Sequence, residues 1–172
     1  MKKNRIILLI LSFLQGMVFY ASISILYRQK ANLSLTEIGL IESIYYLFSL
    51  LFEIPWGIFA DRFGYKKTMI CCNGLYFLSK IVFYQANSFL SFLFERFLLS
   101  MALAGISGVD SAMLYLSCEK GESQKVFGIY YNLGSIGMMS SSLIYSCFFK
   151  GNYRLAALMT CIPFGCAWIL SF

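Results

Sequence analysis

The sequence predicts an all-α membrane protein, a bundle of six transmembrane helices. Three observations carry that prediction: an apolar composition, six apolar runs of spanning length, and a biased placement of basic residues. The 172 residues are 59% hydrophobic and 13% charged, whereas a soluble domain is about 45–50% apolar and about 25% charged. There are 17 Phe and 12 Tyr and no histidine, more aromatic side chains than a core of this size needs. A run of roughly 20 apolar residues crosses a bilayer. Such runs fall at about 6–27, 38–60, 68–86, 89–115, 126–149 and 152–172. Short connections make residues 1–172 a single bundle in the lipid bilayer. The first run is too long for a signal-peptide core and lacks a small-residue cleavage site, so it is read as the first span.

The net charge of +6 does not mark a nucleic-acid binder, because the basic residues are scattered among spans and form no dense patch. With the N-terminus inside, the inner segments hold Lys2, Lys3, Arg5, Arg62, Lys66, Lys67, Lys120 and Lys125. The outer loops hold Arg28, Lys30, Lys150 and Arg154. The positive-inside rule then predicts a multi-pass protein of the cell membrane with both termini cytoplasmic. The six cysteines form no CxxC pair and no histidine joins them, so neither a mixed metal site nor a cofactor is expected. Within spans, cysteine behaves as a small apolar residue.

Along the chain, span 1 carries Gln15, Gly16 and Tyr20. Thr36-Glu37 is read as the start of span 2, with Thr36 as cap and Glu37 suited to the helix dipole. Span 2 holds Glu42, Tyr45, Tyr46 and Glu53, then Pro55, which kinks a membrane helix and frees a carbonyl. Span 3 holds Lys80. Span 4 holds Glu95, Arg96, Gly105, Gly108 and Asp110. Span 5 is rich in small residues that allow close helix approach, and span 6 carries Pro163 and Gly165. No internal sequence repeat is evident, and no phosphate loop, HExxH or catalytic triad motif is present. An enzyme is not expected.

Residues Glu53–Met69 read EIPWGIFADRFGYKKTM. A tight cytoplasmic turn between spans 2 and 3 accounts for Gly64, which adopts backbone angles other residues avoid. It also accounts for Lys66 and Lys67, which anchor the inner face. It does not account for Asp61, because acids contribute little to orientation and the dipole disfavours them at a helix C-terminus.

The stretch GIFADRFGYKK (Gly57–Lys67) resembles the loop between helices 2 and 3 of the major facilitator superfamily, roughly G-x-L/F-A-D-R-x-G-R-K/R-K/R. Gly57, Ala60, Asp61, Arg62, Gly64, Lys66 and Lys67 match, and Tyr65 departs where Arg is usual. Glu53-Ile-Pro-Trp-Gly57 and, in span 4, Arg96 with Ser107–Tyr115 (SGVDSAMLY) are similar to family members as well. The resemblance implies a fold of 3+3 inverted repeats. Family members normally have twelve spans, so this chain is expected to be the N-terminal half, completed by a second six-helix bundle from the same gene, a separate chain or a second copy.

The resemblance also implies function: secondary active transport of a small solute by alternating access, coupled to protons or another ion. The alternative is a truncated or split half-transporter that acts only with a second bundle. Asp61 would latch onto a helix of the other half, and Arg62 would pair with Asp110. Lys80 and Glu95 flank the turn at 85–88 symmetrically, so antiparallel helices put them at similar depth as a structural ion pair.

Arg96, turned about 100° from Glu95, is expected to face elsewhere. It is read either as a substrate-binding or coupling residue in the central cavity or as a paired Arg near the outer interface. Glu53 has two readings as well, a coupling group or a partner for helix ends near Pro55. Glu42 is read as interfacial. Gln15, Tyr20, Tyr45, Tyr131 and Asn132 are polar handles on the spans that line the family's cavity. Span 5 lacks the Gly-Pro pattern of drug/proton antiporters.

Overall fold

In the computed structural model, which describes residues 2–119, 121–149 and 151–172, the chain is all-helical with no strand among the described residues. Lys120 and Lys150, counted in the charge asymmetry above, lie outside the described residues, as do the side chains of Lys2 and Lys3. Among the described residues seven α-helices follow one another: α1 (Lys2–Gly16), α2 (Ser24–Lys30), α3 (Leu35–Phe63), α4 (Tyr65–Gln85), α5 (Phe89–Leu116), α6 (Ser123–Phe148) and α7 (Tyr153–Leu170).

Among the described residues, four stretches are long and apolar enough to cross a membrane: Asn4–Lys30, Leu35–Phe63, Phe89–Leu116 and Tyr153–Leu170. Helices α4 and α6, with 21 and 26 residues, have the length but are more polar. Much of the polarity of α4 is turned inward, since Asn73, Ser79 and Lys80 are buried.

Helix α5 packs against α3 and α4, α1 against α6 and α7, and α4 against α7. The alternating direction of the long helices gives the bundle two ends. The near end gathers the start of α1, the α3–α4 turn and the α5–α6 loop, where Arg5 meets Glu122 at 2.9 Å. The far end gathers the α2–α3, α4–α5 and α6–α7 turns. Tyr20, Phe83 and Phe92 fill the core towards the far end, Leu8, Met69 and Leu114 towards the near end. Cys72, Ile106 and Phe164 lie between them.

The run expected as one helix over 6–27 is broken. Helix α1 stops at Gly16, and a single 3-10 turn, Ala21–Ile23, precedes α2. Non-helical backbone at membrane depth requires protein partners for its polar groups. Thr160 of α7 supplies one, accepting the buried Phe19 N–H at 3.1 Å.

The start of α3 also differs from the expectation. Ser34, not Thr36, is the cap: its hydroxyl accepts the Glu37 N–H at 3.2 Å and the Glu37 carboxylate accepts the Ser34 N–H at 2.8 Å. Ser34-Leu35-Thr36-Glu37 is a reciprocal capping box, which outcompetes a cap one residue from its own acid.

Helices α1 and α6 cross in backbone contact. A Cβ on Gly16 would overlap the Gly134 carbonyl, and one on Gly137 would overlap the Phe13 carbonyl. Gly128, on the same helix, faces open space. Gly137→Ala is therefore expected to destabilise the purified protein by about 1–3 kcal/mol through overpacking, read as a lower thermal midpoint in detergent. Gly128→Ala should leave that midpoint unchanged or slightly raised; equal midpoints for the two variants would contradict the crossing.

Candidate functional site

At the near end, Gly64 joins α3 to α4 with φ 85°, and its N–H closes on the Ala60 carbonyl. That left-handed conformation is the reason a glycine stands there. Thr68 secures the other side by donating its hydroxyl to the Gly64 carbonyl at 2.9 Å. Asp61, Arg62, Lys66 and Lys67 are all exposed around this turn. Glu53, Gly57 and Asp61 recur every four residues and share one stripe of α3. They border a groove whose other wall is Gly105, Ser107 and Gly108 of α5. Gly57 leaves the space beside it open.

Two expectations for this end are corrected. Arg62 is within ion-pair distance of no carboxylate among the described residues, and Asp110 does not face it. Asp110 is buried and accepts a short hydrogen bond from the Tyr130 hydroxyl of α6. Burial towards α6 turns Asp110 away from the exposed turn. Glu53 is not sunk among helix ends near Pro55 either; it is exposed on the bundle surface.

Towards the far end lies a buried ionic cluster. The break in span 1 lets α2 carry Arg28 into the interior, where it is 1% exposed. Its guanidinium donates to Glu42 Oε1 at 2.6 Å and stands 3.7 Å from Glu95 Oε2. Arg96 reaches the same Glu42 oxygen at 2.8 Å and stands 3.6 Å from Glu95 Oε2. Two arginines and two glutamates thus tie α2, α3 and α5 together. Arg96 also covers the Tyr45 ring, 5.5 Å from its centroid. It does not turn away from Glu95 as its position one residue further along the helix suggested, because its long side chain curls back to the shared carboxylates.

The expected Lys80–Glu95 pair is not formed. Glu95 is met by Arg28 and Arg96, and both of its oxygens lack a hydrogen bond of normal length. Lys80 donates instead to the Tyr20 hydroxyl at 3.0 Å. The rings of Tyr20, Tyr76 and Phe164 surround its ammonium at 5.4, 4.8 and 5.0 Å. Aromatic faces stabilise a desolvated cation by about 2 kcal/mol, so an aromatic box stands where a carboxylate was expected.

The remaining polar handles divide into two groups. Gln15 donates to Asn73 Oδ1 at 2.8 Å, while the buried Asn73 Nδ2 has no partner. Gln15, Tyr76 and Tyr131 border a groove between α1 and α6. Tyr131 and Asn132 are exposed on α6. Sequence reasoning missed Arg28, Tyr130 and Asn73. Arg28 reads as a loop charge, and the pairings of Tyr130 and Asn73 depend on helix rotation.

The sequence pattern of the Major Facilitator Superfamily matches residues 6–172. The chain belongs to this superfamily. An uncharacterised MFS-type transporter of Methanocaldococcus jannaschii is 25% identical over 139 residues, which is 80% of this chain and 36% of the relative. An uncharacterised transporter of Buchnera aphidicola subsp. Schizaphis graminum is 34% identical over 77 residues, 45% of this chain and 19% of the relative. The chain therefore spans about a third or less of the length of the curated relatives it matches. This major facilitator chain is a membrane protein built from apolar helices.

The geometry makes the Arg28–Glu42 contact the strong pair and Lys80–Glu95 the weak one. A double-mutant cycle on Arg28→Gln and Glu42→Gln should give a coupling of about 1–3 kcal/mol in unfolding free energy, against less than about 0.5 kcal/mol for Lys80→Met with Glu95→Gln. The opposite ranking would restore the predicted pair.

Proposed function

We propose that this chain forms the N-terminal six-helix bundle of a secondary transporter, in which α1 and α2 together make the first of six spans. A second six-helix bundle docks on it, and the two rock about a central site to move a small solute by alternating access. Coupling to a proton or another ion goes through the charged groups of spans 2 and 4, with Arg96 and Glu53 as candidates. Gln15, Tyr131 and Asn132 supply contacts from the α1–α6 side of the cavity. Both termini lie in the cytoplasm, which places the Asp61 turn at the inner end.

The observation that carries this reading is the Glu53–Gly57–Asp61 stripe. Helix α3 exposes two neighbouring faces. One bears Leu47, Leu51, Ile54 and Ile58, a surface matched to lipid tails. The other presents two carboxylates beside a groove of small residues. A charged group facing hydrocarbon costs a few kcal/mol, so that second face is suited to protein. A helix of a second bundle, its end aligned with Asp61, would fill it. In that arrangement the turn is a conformational latch, with Gly64 shaping it, Asp61 engaging the facing helix, and Arg62, Lys66 and Lys67 completing the charged rim. The second bundle comes from the same chain, from a separate chain or from another copy.

The test is transport by the full-length gene product reconstituted in proteoliposomes, screened against a solute panel with and without a pH gradient. Asp61→Asn should lower the uptake rate by about 10-fold or more while expression and membrane insertion stay normal; such a loss corresponds to about 1.4 kcal/mol. Unchanged uptake kinetics in that variant would remove the latch. Uptake equal to that of empty vesicles for every solute would favour a half-transporter that lacks its partner, which the mass of the complex extracted from membranes then distinguishes.

A further inference from the structure

All three far-end turns converge on one groove, formed by the end of α2, the α4–α5 turn and the α6–α7 turn. Lys30 and Arg154 stand on its walls together with Tyr27, Tyr84 and Tyr153. No carboxylate lines it among the described residues. The acids of this end are engaged elsewhere: Glu37 closes its own capping box, and Glu42 and Glu95 are taken by Arg28 and Arg96. Neither Lys30 nor Arg154 lies within ion-pair distance of an acid among the described residues. Each rests on an aromatic face, Lys30 5.1 Å from the Tyr153 centroid and Arg154 5.4 Å from that of Tyr84. A ring face positions a cation without neutralising it. Two positive charges are therefore held on one recess with no acid among the described residues to balance them. The exposed amides of Asn87 and Asn152 add hydrogen-bonding groups at its rim.

We propose that this far-end groove is a binding site for a phosphate-bearing anion, held between Lys30 and Arg154. Two cations match the charge of a phosphate, and the guanidinium of Arg154 offers the forked donor geometry that phosphate oxygens accept. The groove sits where the apolar helices end, the depth at which lipid headgroups lie, so a headgroup phosphate there would meet both cations. A soluble phosphate reaching the mouth of the bundle offers the same chemistry. The site requires only that the bundle be inserted in a membrane and does not depend on transport.

The experiment compares the full-length wild-type protein with Lys30→Gln/Arg154→Gln in two arms. In the first, native mass spectrometry counts phosphatidylglycerol bound in competition with phosphatidylcholine. In the second, the thermal midpoint of delipidated protein is followed as inorganic phosphate replaces chloride at constant ionic strength. Both side chains are exposed, so the variant should fold with an unchanged midpoint in chloride. Binding should weaken by about 10-fold or more, the loss expected for two surface cations. A loss confined to phosphatidylglycerol assigns a lipid headgroup, and a loss confined to inorganic phosphate assigns a soluble ligand. The proposal is overturned if neither arm changes, or if Lys66→Gln/Lys67→Gln at the opposite end produces the same loss.

Discussion

A guanidinium buried to the extent of Arg28 needs carboxylates around it, and meeting that need fixes how three spans sit. Removing one partner from a buried ion pair costs about 3–5 kcal/mol, so the cluster is stable only when complete. Arg28 comes from α2, Glu42 from α3, and Glu95 and Arg96 from α5. These elements meet at the far end because their charges must. The break after Gly16 follows from the same constraint: it lets α2 take its own course and carry Arg28 inward. The break in turn requires partners for its backbone, and Thr160 provides one for Phe19. One buried charge thus sets the course of span 1 and engages α7.

Lys80 shows the other way a membrane bundle can hold a cation. With Glu95 committed to two arginines, Lys80 lies among aromatic rings and donates to Tyr20. Tyr20 belongs to the non-helical stretch of span 1. Its ring also stacks on Phe83 with centroids 3.9 Å apart. The aromatic box around Lys80 therefore joins the broken span to α4 and α7, one layer inward from the arginines. Arg28 and Arg96 thus share Glu42 and Glu95, two against two, while Lys80 is held by rings and a hydroxyl.

What the sequence discloses here follows the range of the forces involved. Helix placement depends on local apolarity and was legible for the long helices α3 to α7, but not for the broken first run. The turn at Gly64 was legible because a positive φ leaves a local signature, a glycine between two helices. The capping box at Ser34–Glu37 was also written locally, as Ser-x-x-Glu, but Thr36 competed for the assignment. Partner choice among buried charges was not legible. Lys80 and Glu95 stand symmetrically about a turn, and the flaw in pairing them is that Arg28 reads as a loop residue until span 1 is seen to break. An apolar run such as Met17–Ile25 carries no mark of that break, since the hydrogen bond that supports it comes from Thr160, far along the chain. Asp110 fails for a related reason: its partner, Tyr130, depends on the rotation of α6, and α6 is set by glycine contacts with α1.

The two ends differ in the grooves they expose. The near end leaves Asp61 and Glu53 exposed on a stripe bordered by small residues, where a helix can approach closely enough for its backbone dipoles to meet a carboxylate. The far end leaves Lys30 and Arg154 exposed on aromatic ledges, where a helix would find tyrosine bulk but an anion would find room. A surface of the first kind is suited to a structural partner that comes and goes, because the contact is made of dipoles and charges that water can replace on separation. A surface of the second kind is suited to a small ligand held by charge. The interior cluster pairs two arginines with two glutamates and ties α2, α3 and α5 together. Its ion pairs lie apart from both surfaces, so neither the Asp61 stripe nor the Lys30–Arg154 groove draws on the charges that hold the three helices together.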